Sequence, residues 1–239
     1  MQQKPDYGID APGVIRNLLV IGGALILSGV AFPVIQMGRV TLLWGRSSIW
    51  PGLSCMAGGV LMLIYAKWGK FRHRDRMLGM VNWRGDEQVL DVGTGRGLLL
   101  IAAARHLTSG RATGIDVWSA KDLSGNSLDR TQANVEVEGV KDKVTLRSDD
   151  ARKLGFPDAT FDVVVSNLCI HNIPDSGGRA QACREISRVL KPGGLALVSD
   201  FVNTGFYQKV LAECGLKVSR TSMNLLSFPP LRVIKAEKR

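Results

Sequence analysis

From Asn17 to Met37 the chain reads "NLLVIGGALILSGVAFPVIQM", with no charged side chain, bounded by Arg16 and Arg39. Crossing a hydrocarbon layer about 30 Å thick takes about 20 helical residues, so this stretch is long enough to span a bilayer. A second run, "IWPGLSCMAGGVLMLIYAKW" from Ile49 to Trp68, is uncharged until Lys67 and carries Trp50, Tyr65 and Trp68 near its ends, where interfacial aromatics belong. Small residues recur in both runs, at Gly22, Gly23, Ser28 and Gly29 and at Gly52, Ala57, Gly58 and Gly59, which lets two helices approach closely in lipid. The pattern predicts a hairpin of two transmembrane helices, at about 17–37 and 49–68.

Basic residues set its orientation. The connecting loop holds only Arg39 and Arg46, whereas "KWGKFRHRDR", Lys67 to Arg76, is dense in Lys and Arg with Asp75 as its one acid. The positive-inside rule then places both termini and everything after Trp68 in the cytoplasm, as an integral membrane protein. The chain as a whole has 31 Lys and Arg against 21 Asp and Glu, and such an excess suits anionic lipid or nucleic acid equally. A cleavable signal peptide ending at "SGVA" is opposed by Asp6 and Asp10 in the long polar lead and by the second apolar run. A soluble hairpin buried against the rest of the chain, or in an oligomer, would also be apolar all round. Cys55, Cys169, Cys183 and Cys214 lie far apart with no CxxC pair, so no metal site or disulfide framework is expected.

Beyond Gln88 the grammar changes. Short β-rich runs, "QVLDVG", "RATGID", "KVTLRS", "FDVVVSN" and "LALVSD", alternate with helical patterns near Leu98–Leu107, Ser127–Glu138 and Arg179–Leu190. That order predicts an α/β fold with a Rossmann-like, doubly wound parallel sheet. A helix near Gly205–Cys214 and two further runs, "LKVSRTSMN" and "LRVIKAEK", complete seven strands, the last two an edge hairpin. The expected division is a membrane anchor over 1–69 and a catalytic domain over 70–239.

Ligands of such sheets bind outside the carboxyl ends of the strands. The first strand ends in "DVGTGRG", where Gly93 and Gly95 allow a tight turn and close approach to a ligand and Gly97 opens a helix. The second ends in Asp116, placed to accept hydrogen bonds from a ribose. After the third comes "DDA", Asp149 to Ala151, whose carboxylate can accept from an adenine amino group. The fourth ends in "SNLCIHN". Dinucleotide enzymes use GxGxxG, whereas here GxGxG follows Asp91, and an acid in the turn suits a cationic, ribose-bearing cofactor better than a diphosphate.

The ordered segments "VLDVGTGRG", "GIDVWS", "SDDARKLGFPDATFDVVVSNLCIHNI" and "EISRVLKPGGLALVSDF" resemble the class I S-adenosylmethionine-dependent methyltransferases, in particular the ubiquinone/menaquinone-biosynthesis and tocopherol branch. The resemblance covers roughly Val89 to Lys235. It implies S-adenosyl-L-methionine as cofactor, with Asp91, Gly93, Thr94, Gly95 and Gly97 around the methionine portion and Asp116 on the ribose. It further implies Val117 beside the adenine, Asp150 and Ala151 at the adenine edge, and Asn167 near the methyl-bearing sulfonium. Trp118 is either an adenine-stacking ring or a shield for a helix.

Methyl transfer needs alignment, exclusion of water and, for some acceptors, a base. His171 and Asp200 are the candidates, with Asn172 as an orienting group; Cys169 is read as packing. The Asn/Asp-Pro-Pro-aromatic motif of nucleic-acid amine methyltransferases is replaced by "SNLC", and no aromatic-rich RNA-binding module accompanies the positive charge, so no specific nucleic acid is expected as a partner. Relatives often insert a substrate lid between Asp200 and the next helix, and here that connection is short. The expected function is therefore methyl transfer to a lipophilic small molecule, a quinone, phenol or polar lipid, with the hairpin and the basic segment holding the mouth of the site against the membrane. Methylation of a small thiol or amine, with the membrane serving only for location, is the alternative, and RNA methylation a third.

Overall fold

The computed structural model describes residues 4–225 and 227–239. Two long helices come first, α1 (Pro12–Ala31) and α2 (Trp44–Ile64). The first apolar run is therefore not helical over 17–37 as expected. Phe32 precedes Pro33, whose ring disfavours helical backbone in the residue before it, and α1 stops at Ala31. A small antiparallel hairpin comes next, β1 (Ile35–Met37) with β2 (Val40–Leu42), turning at Gly38 with φ +62° and Arg39, the geometry of a two-residue turn with glycine first. The second run also differs: α2 starts at Trp44, passes through a π-helical turn at Tyr65–Gly69 and continues as α3 (Lys70–Leu78). The basic segment is thus the last turns of one 35-residue helix, Trp44–Leu78.

α1 and α2 pack through their glycines. A Cβ on Gly22 would stand 2.8 Å from the carbonyl oxygen of Gly52, one on Gly29 2.3 Å from Ser48 Oγ, and one on Gly59 2.8 Å from Leu19. The outer faces stay apolar and exposed, with Val20, Leu27, Trp50 and Ile64 among them. Among the described residues these are two helices long and apolar enough to cross a membrane. They are not buried against the rest of the protein.

The remainder is a seven-stranded sheet ordered β5-β4-β3-β6-β7-β9-β8, where β3 is Gln88–Val92, β4 Arg111–Asp116, β5 Val144–Ser148, β6 Phe161–Asn167, β7 Leu190–Asp200, β8 Lys217–Arg220 and β9 Arg232–Glu237. The first five are parallel, and β9 pairs antiparallel with both β7 and β8, giving the expected edge hairpin. β7 begins earlier than "LALVSD" predicts, absorbing Leu190 to Gly194.

Period-two alternation sends side chains to two cores. Leu90, Val92, Val164 and Val198 meet α6 (Ser176–Val189) and α7 (Thr204–Glu213), while Val89, Val163, Val165 and Leu197 meet the face of α3, α4 (Leu98–His106) and α5 (Leu128–Val137). Because both faces are covered, the strands are near-continuously apolar until their carboxyl ends, where the polar residues collect.

Candidate active site

The turn after β3 is held open by its own backbone. Gly93, Gly95 and Gly97 have φ of +76°, +54° and +83°, values that disfavour any side chain. A Cβ on Gly93 would also lie 2.3 Å from Cys169 Sγ, so the thiol packs on the turn. Asp91 is 1% exposed, and its Oδ2 accepts from Thr94 Oγ1 (2.8 Å) and from the amide of Leu100 (3.0 Å) at the start of α4. Burial pushes its carboxyl up to about 7, Thr94 and Leu100 pull it down, and the nearby charge of Asp116 adds to the rise. Asp91 therefore ties the turn to the helix.

Asp116, at the end of β4, accepts from the Gly95 amide (2.8 Å), the Trp118 amide (2.6 Å) and Asn126 Nδ2 (3.2 Å). A carboxylate offers about four lone-pair positions, so it joins the first glycine turn to the second loop and still has room for a hydroxyl. Val117 is 67% exposed. Trp118 takes a left-handed backbone, φ 60°, and its indole donates to Ser148 Oγ at 2.8 Å, which tethers the ring to the end of β5. Asp150 is held by Arg152 in a bidentate pair, Nη2–Oδ2 2.6 Å and Nε–Oδ1 3.1 Å, and Ala151 packs against the core beside it.

At the end of β6, Asn167 Oδ1 is buried without a hydrogen bond, as are Tyr65 OH and Asp10 Oδ2. The Tyr65 hydroxyl lies beside the Asn167 amide and within electrostatic reach of Asp10. An unsatisfied buried oxygen costs about 1–3 kcal/mol, so Asn167 Oδ1 and the Tyr65 hydroxyl beside it, with the charge of Asp10 nearby, fit a cationic ligand group rich in N–H, such as the ammonium end of S-adenosylmethionine. The niche thus matches the cofactor that the glycine turn and Asp116 accommodate.

Tyr65 and Asp10 were not legible as site residues. Asp10 arrives because residues 6–11 form a strap over the glycine turn, and Tyr65 because the π-helical turn after α2 carries it there. Asp6 N donates to Asn134 Oδ1 (2.9 Å) and Asn134 Nδ2 returns a bond to Asp6 O (2.8 Å). Arg96, 3% exposed, donates to Asp6 Oδ2 at 2.7 Å. Ser124 N donates to Ile9 O, and Ala11 N to Asp122 O. Lys70 Nζ, buried, donates to the carbonyls of Tyr7 (2.8 Å) and Gly8 (2.6 Å) and lies 3.8 Å from Asp10 Oδ2. Burial lowers the Lys70 pKa and raises that of Asp10, each opposed by the other's charge.

The acid–base candidates do come together. His171, in the turn after β6, places Nδ1 3.0 Å from Asp200 Oδ1 and 3.2 Å from Oδ2. Asp200, the last residue of β7, is 1% exposed and also accepts from the Phe201 amide (2.9 Å) and from Tyr207 OH (3.3 Å). The Phe201 ring meets the imidazole edge-on at 4.9 Å. With the buried carboxylate placed to accept from Nδ1–H, the neutral ring presents Nε2 as its hydrogen-bond acceptor. Asn172 is exposed, and its amide donates to Leu168 O, so it braces the turn. His73, by contrast, is 1% exposed, bonded to Ser199 Oγ at 2.7 Å and to Asn224, and burial, reinforced by Arg76, pushes it down to about 4. Among the described residues no cluster of His, Cys, Asp and Glu could hold a metal ion.

Comparison with known proteins agrees with this geometry. Residues 89–194 match the methyltransferase-domain family. The chain is 34% identical over 133 residues to 27-O-demethylrifamycin SV methyltransferase of Amycolatopsis mediterranei, covering 55% of this chain and 44% of that protein. It is 37% identical over 127 residues to a demethylmenaquinone methyltransferase of Lactiplantibacillus plantarum, 52% of this chain and 50% of that one. With a phosphatidylethanolamine N-methyltransferase of Cereibacter sphaeroides it shares 35% over 125 residues, 52% and 55% respectively. The chain spans about half the length of these relatives. A SAM-dependent methyltransferase from Aquifex aeolicus has the same fold, with a TM-score of 0.56 at 18% identity over 72% of this chain and 98% of that chain. Over residues 89–194 the chain thus matches a methyltransferase domain, and its glycine turn and strand-end acids fit S-adenosyl-L-methionine as a cofactor.

Proposed function

We propose that this protein is a membrane-anchored methyltransferase that moves a methyl group from S-adenosyl-L-methionine to a lipophilic small molecule, a quinone, phenol or polar lipid, that reaches the site from the bilayer. The carrying observation is the His171–Asp200 pair. It stands at the sheet end from which the apolar hairpin extends, beside Phe201 and Val202, which are 39% and 37% exposed. Relatives named for menaquinone and phosphatidylethanolamine methylation support the acceptor class.

The bound cofactor supplies an activated methyl on a sulfonium, the leaving group of an in-line displacement. The chain does the rest. Asp116 and the glycine turn would hold the nucleoside, and Asp10, Tyr65 and Asn167 the ammonium end. His171 takes the proton from an acceptor hydroxyl as the new bond to carbon forms. Asp200 fixes the ring through Nδ1 and stabilises the imidazolium.

Anchoring explains the hairpin's composition. Arg16, one turn inside α1, and Arg46, near the start of α2, stand near opposite ends of the hairpin, where a long side chain can reach an interface. Both termini and the domain lie on the cytoplasmic side, where anionic headgroups add about 1 kcal/mol per nearby Lys or Arg of the Lys67–Arg76 segment. Incubating the purified full chain with methyl-labelled cofactor and a total lipid extract tests the reading: a labelled organic-soluble product is expected. Label confined to water-soluble products would refute it.

A further inference from the structure

Arg232, the first residue of β9, stands opposite Asp200 in the β7–β9 ladder. Residues directly opposite in an antiparallel pair send their side chains to the same face. Two observations say which face it is. Tyr207 of α7 donates to Asp200, and Ile234 and Ala236, two and four residues beyond Arg232, pack in the core that α7 covers. The guanidinium therefore leaves the sheet on the side of the His171–Asp200 pair. It is half-buried, its Nε is buried without a hydrogen bond, and among the described residues no acid pairs with it.

A second arginine joins it. Arg220 ends β8 opposite Ile234, which sets it diagonal to Arg232 across the β8–β9 pair, at a spacing of about 7–8 Å. Val218, two residues earlier on the same face, packs against the α7 core. Arg220 Nη1 lies 3.9 Å from where a Cβ on Gly205 would stand, so this guanidinium reaches the first turn of α7. It too has no acid partner among the described residues. Asp200, the acid beside the pair, already serves His171, the Phe201 amide and Tyr207. Like charges across a strand pair repel, and a donor buried without a partner costs free energy. One oxyanion between the two arginines removes both costs, since the planar fork of a guanidinium matches the paired oxygens of a phosphate or carboxylate.

We propose that Arg220 and Arg232 form an anion subsite of the acceptor pocket, which takes a phosphate or carboxylate carried by the acceptor beside the group to be methylated. The inference rests on methyl transfer at His171 and narrows the acceptor to lipophilic molecules that bear an oxyanion. The Cα atoms of opposed residues lie about 4.5–5.5 Å apart, so an anion held by Arg232 stays next to the pair that takes the proton. The two arginines select and orient the acceptor without touching the reacting atoms. Their contribution therefore enters KM, whereas that of His171 enters kcat.

The test uses a total lipid extract separated by anion exchange into neutral and anionic fractions, each given to the purified full chain with methyl-labelled cofactor. Label is expected in the anionic fraction. The Arg220→Gln, Arg232→Gln double variant should raise the apparent KM for that fraction by about 10–100-fold, with kcat nearly kept and affinity for the demethylated cofactor unchanged. Arg220→Gln alone changes an exposed side chain and should give part of that rise without disturbing the fold. Arg232→Lys, which keeps the charge and loses the fork, should recover part of the loss. Inorganic phosphate should compete with the acceptor in the parent and lose its effect in the double variant. Label in the neutral fraction alone, or an unchanged KM in both variants, would overturn the subsite and leave methyl transfer to a lipophilic acceptor standing. Phosphate that binds the parent while only neutral lipid is labelled would make the pair a site for free phosphate, against the proposal. Label confined to water-soluble products would overturn the reading on which it rests.

Discussion

His171 Nδ1 lies 3.0 Å from Asp200 Oδ1, joining the turn after β6 to the last residue of β7. The carboxylate is 1% exposed and shares its oxygens with the Phe201 amide and Tyr207 OH, so the imidazole is held in one tautomer. Removal of a positioned base costs about 10²–10⁴-fold in rate. His171→Ala should therefore lower kcat by that order with unchanged cofactor affinity, and Asp200→Asn should lower it as well, because the ring loses the carboxylate that fixes Nδ1. Single-turnover kinetics with saturating labelled cofactor measures both, and an unchanged His171→Ala rate would remove the imidazole from proton transfer.

Asp116 makes a different prediction because the proposal gives its carboxylate both the cofactor and the loop. Its bonds to the Gly95 and Trp118 amides and to Asn126 hold together the two loops proposed to enclose the nucleoside. Charge-assisted hydrogen bonds contribute about 1.5–3 kcal/mol each. Asp116→Ala is expected to weaken binding of the demethylated cofactor by about 10–100-fold in calorimetry, with a small drop in melting temperature as the turn loosens.

The sheet and its ligand end were legible because local signals agreed there. Alternating apolar strands, glycines at the turn and acids at strand ends point the same way, and the structure puts Asp91, Asp116 and Asn167 at the ends of neighbouring strands. The first apolar run misled over its ends because hydropathy counts Phe32 to Met37 as helix, whereas Pro33 and Gly38 decide the backbone. The strap was illegible for another reason. Asp6, Tyr7 and Asp10 look like a solvated lead to an apolar run, and nothing local shows that Asn134, Arg96 and Lys70, from 60 to 130 residues away, complete their hydrogen bonds.

That strap yields a prediction separable from folding. Asp10 and Tyr65 lie by Asn167, the place proposed for the ammonium end, and neither is bonded to Asp116, the residue proposed for the nucleoside. Asp10→Asn and Tyr65→Phe should each weaken the demethylated cofactor several-fold or more and leave methylthioadenosine, which lacks the amino-acid portion, bound as before. Equal losses for both ligands would indicate a general disturbance of the strap. A chain beginning at Lys70 lacks the partners of Arg96 and Lys70 and is expected to lose affinity for both.

Asp91 gives the pH dependence. Its carboxyl titrates near 7 in the folded protein because it is buried, against an ordinary value of 3.8. Between those two values the folded state holds a proton that the unfolded state has lost, so stability falls as pH rises from about 4 to about 7 and levels off above. Asp91→Asn keeps an oxygen for Thr94 and Leu100 and cannot ionise. The variant should show a smaller decline in melting temperature between pH 5 and pH 7.5 than the parent, measured in one detergent; an equal decline would mean that other groups set the slope.

Insertion and packing of the hairpin are separable as well. Partition into lipid depends on the apolar outer faces, whereas the contact of α1 with α2 depends on glycines that admit no side chain: a Cβ on Gly29 would be 2.3 Å from Ser48 Oγ and 2.8 Å from Ile49 Cγ1. Without a hydrophobic drive between helices in lipid, close approach of small residues supplies the association. Gly29→Leu should therefore leave the protein in the membrane pellet after carbonate extraction, since leucine adds apolar surface. It should nonetheless reduce turnover, because α2 carries Tyr65 into the niche, and a splayed hairpin moves that hydroxyl away from Asn167. Release of the intact parent protein by carbonate would show that the hairpin is no anchor, and full activity of Gly29→Leu would show that the position of α2 does not reach the site.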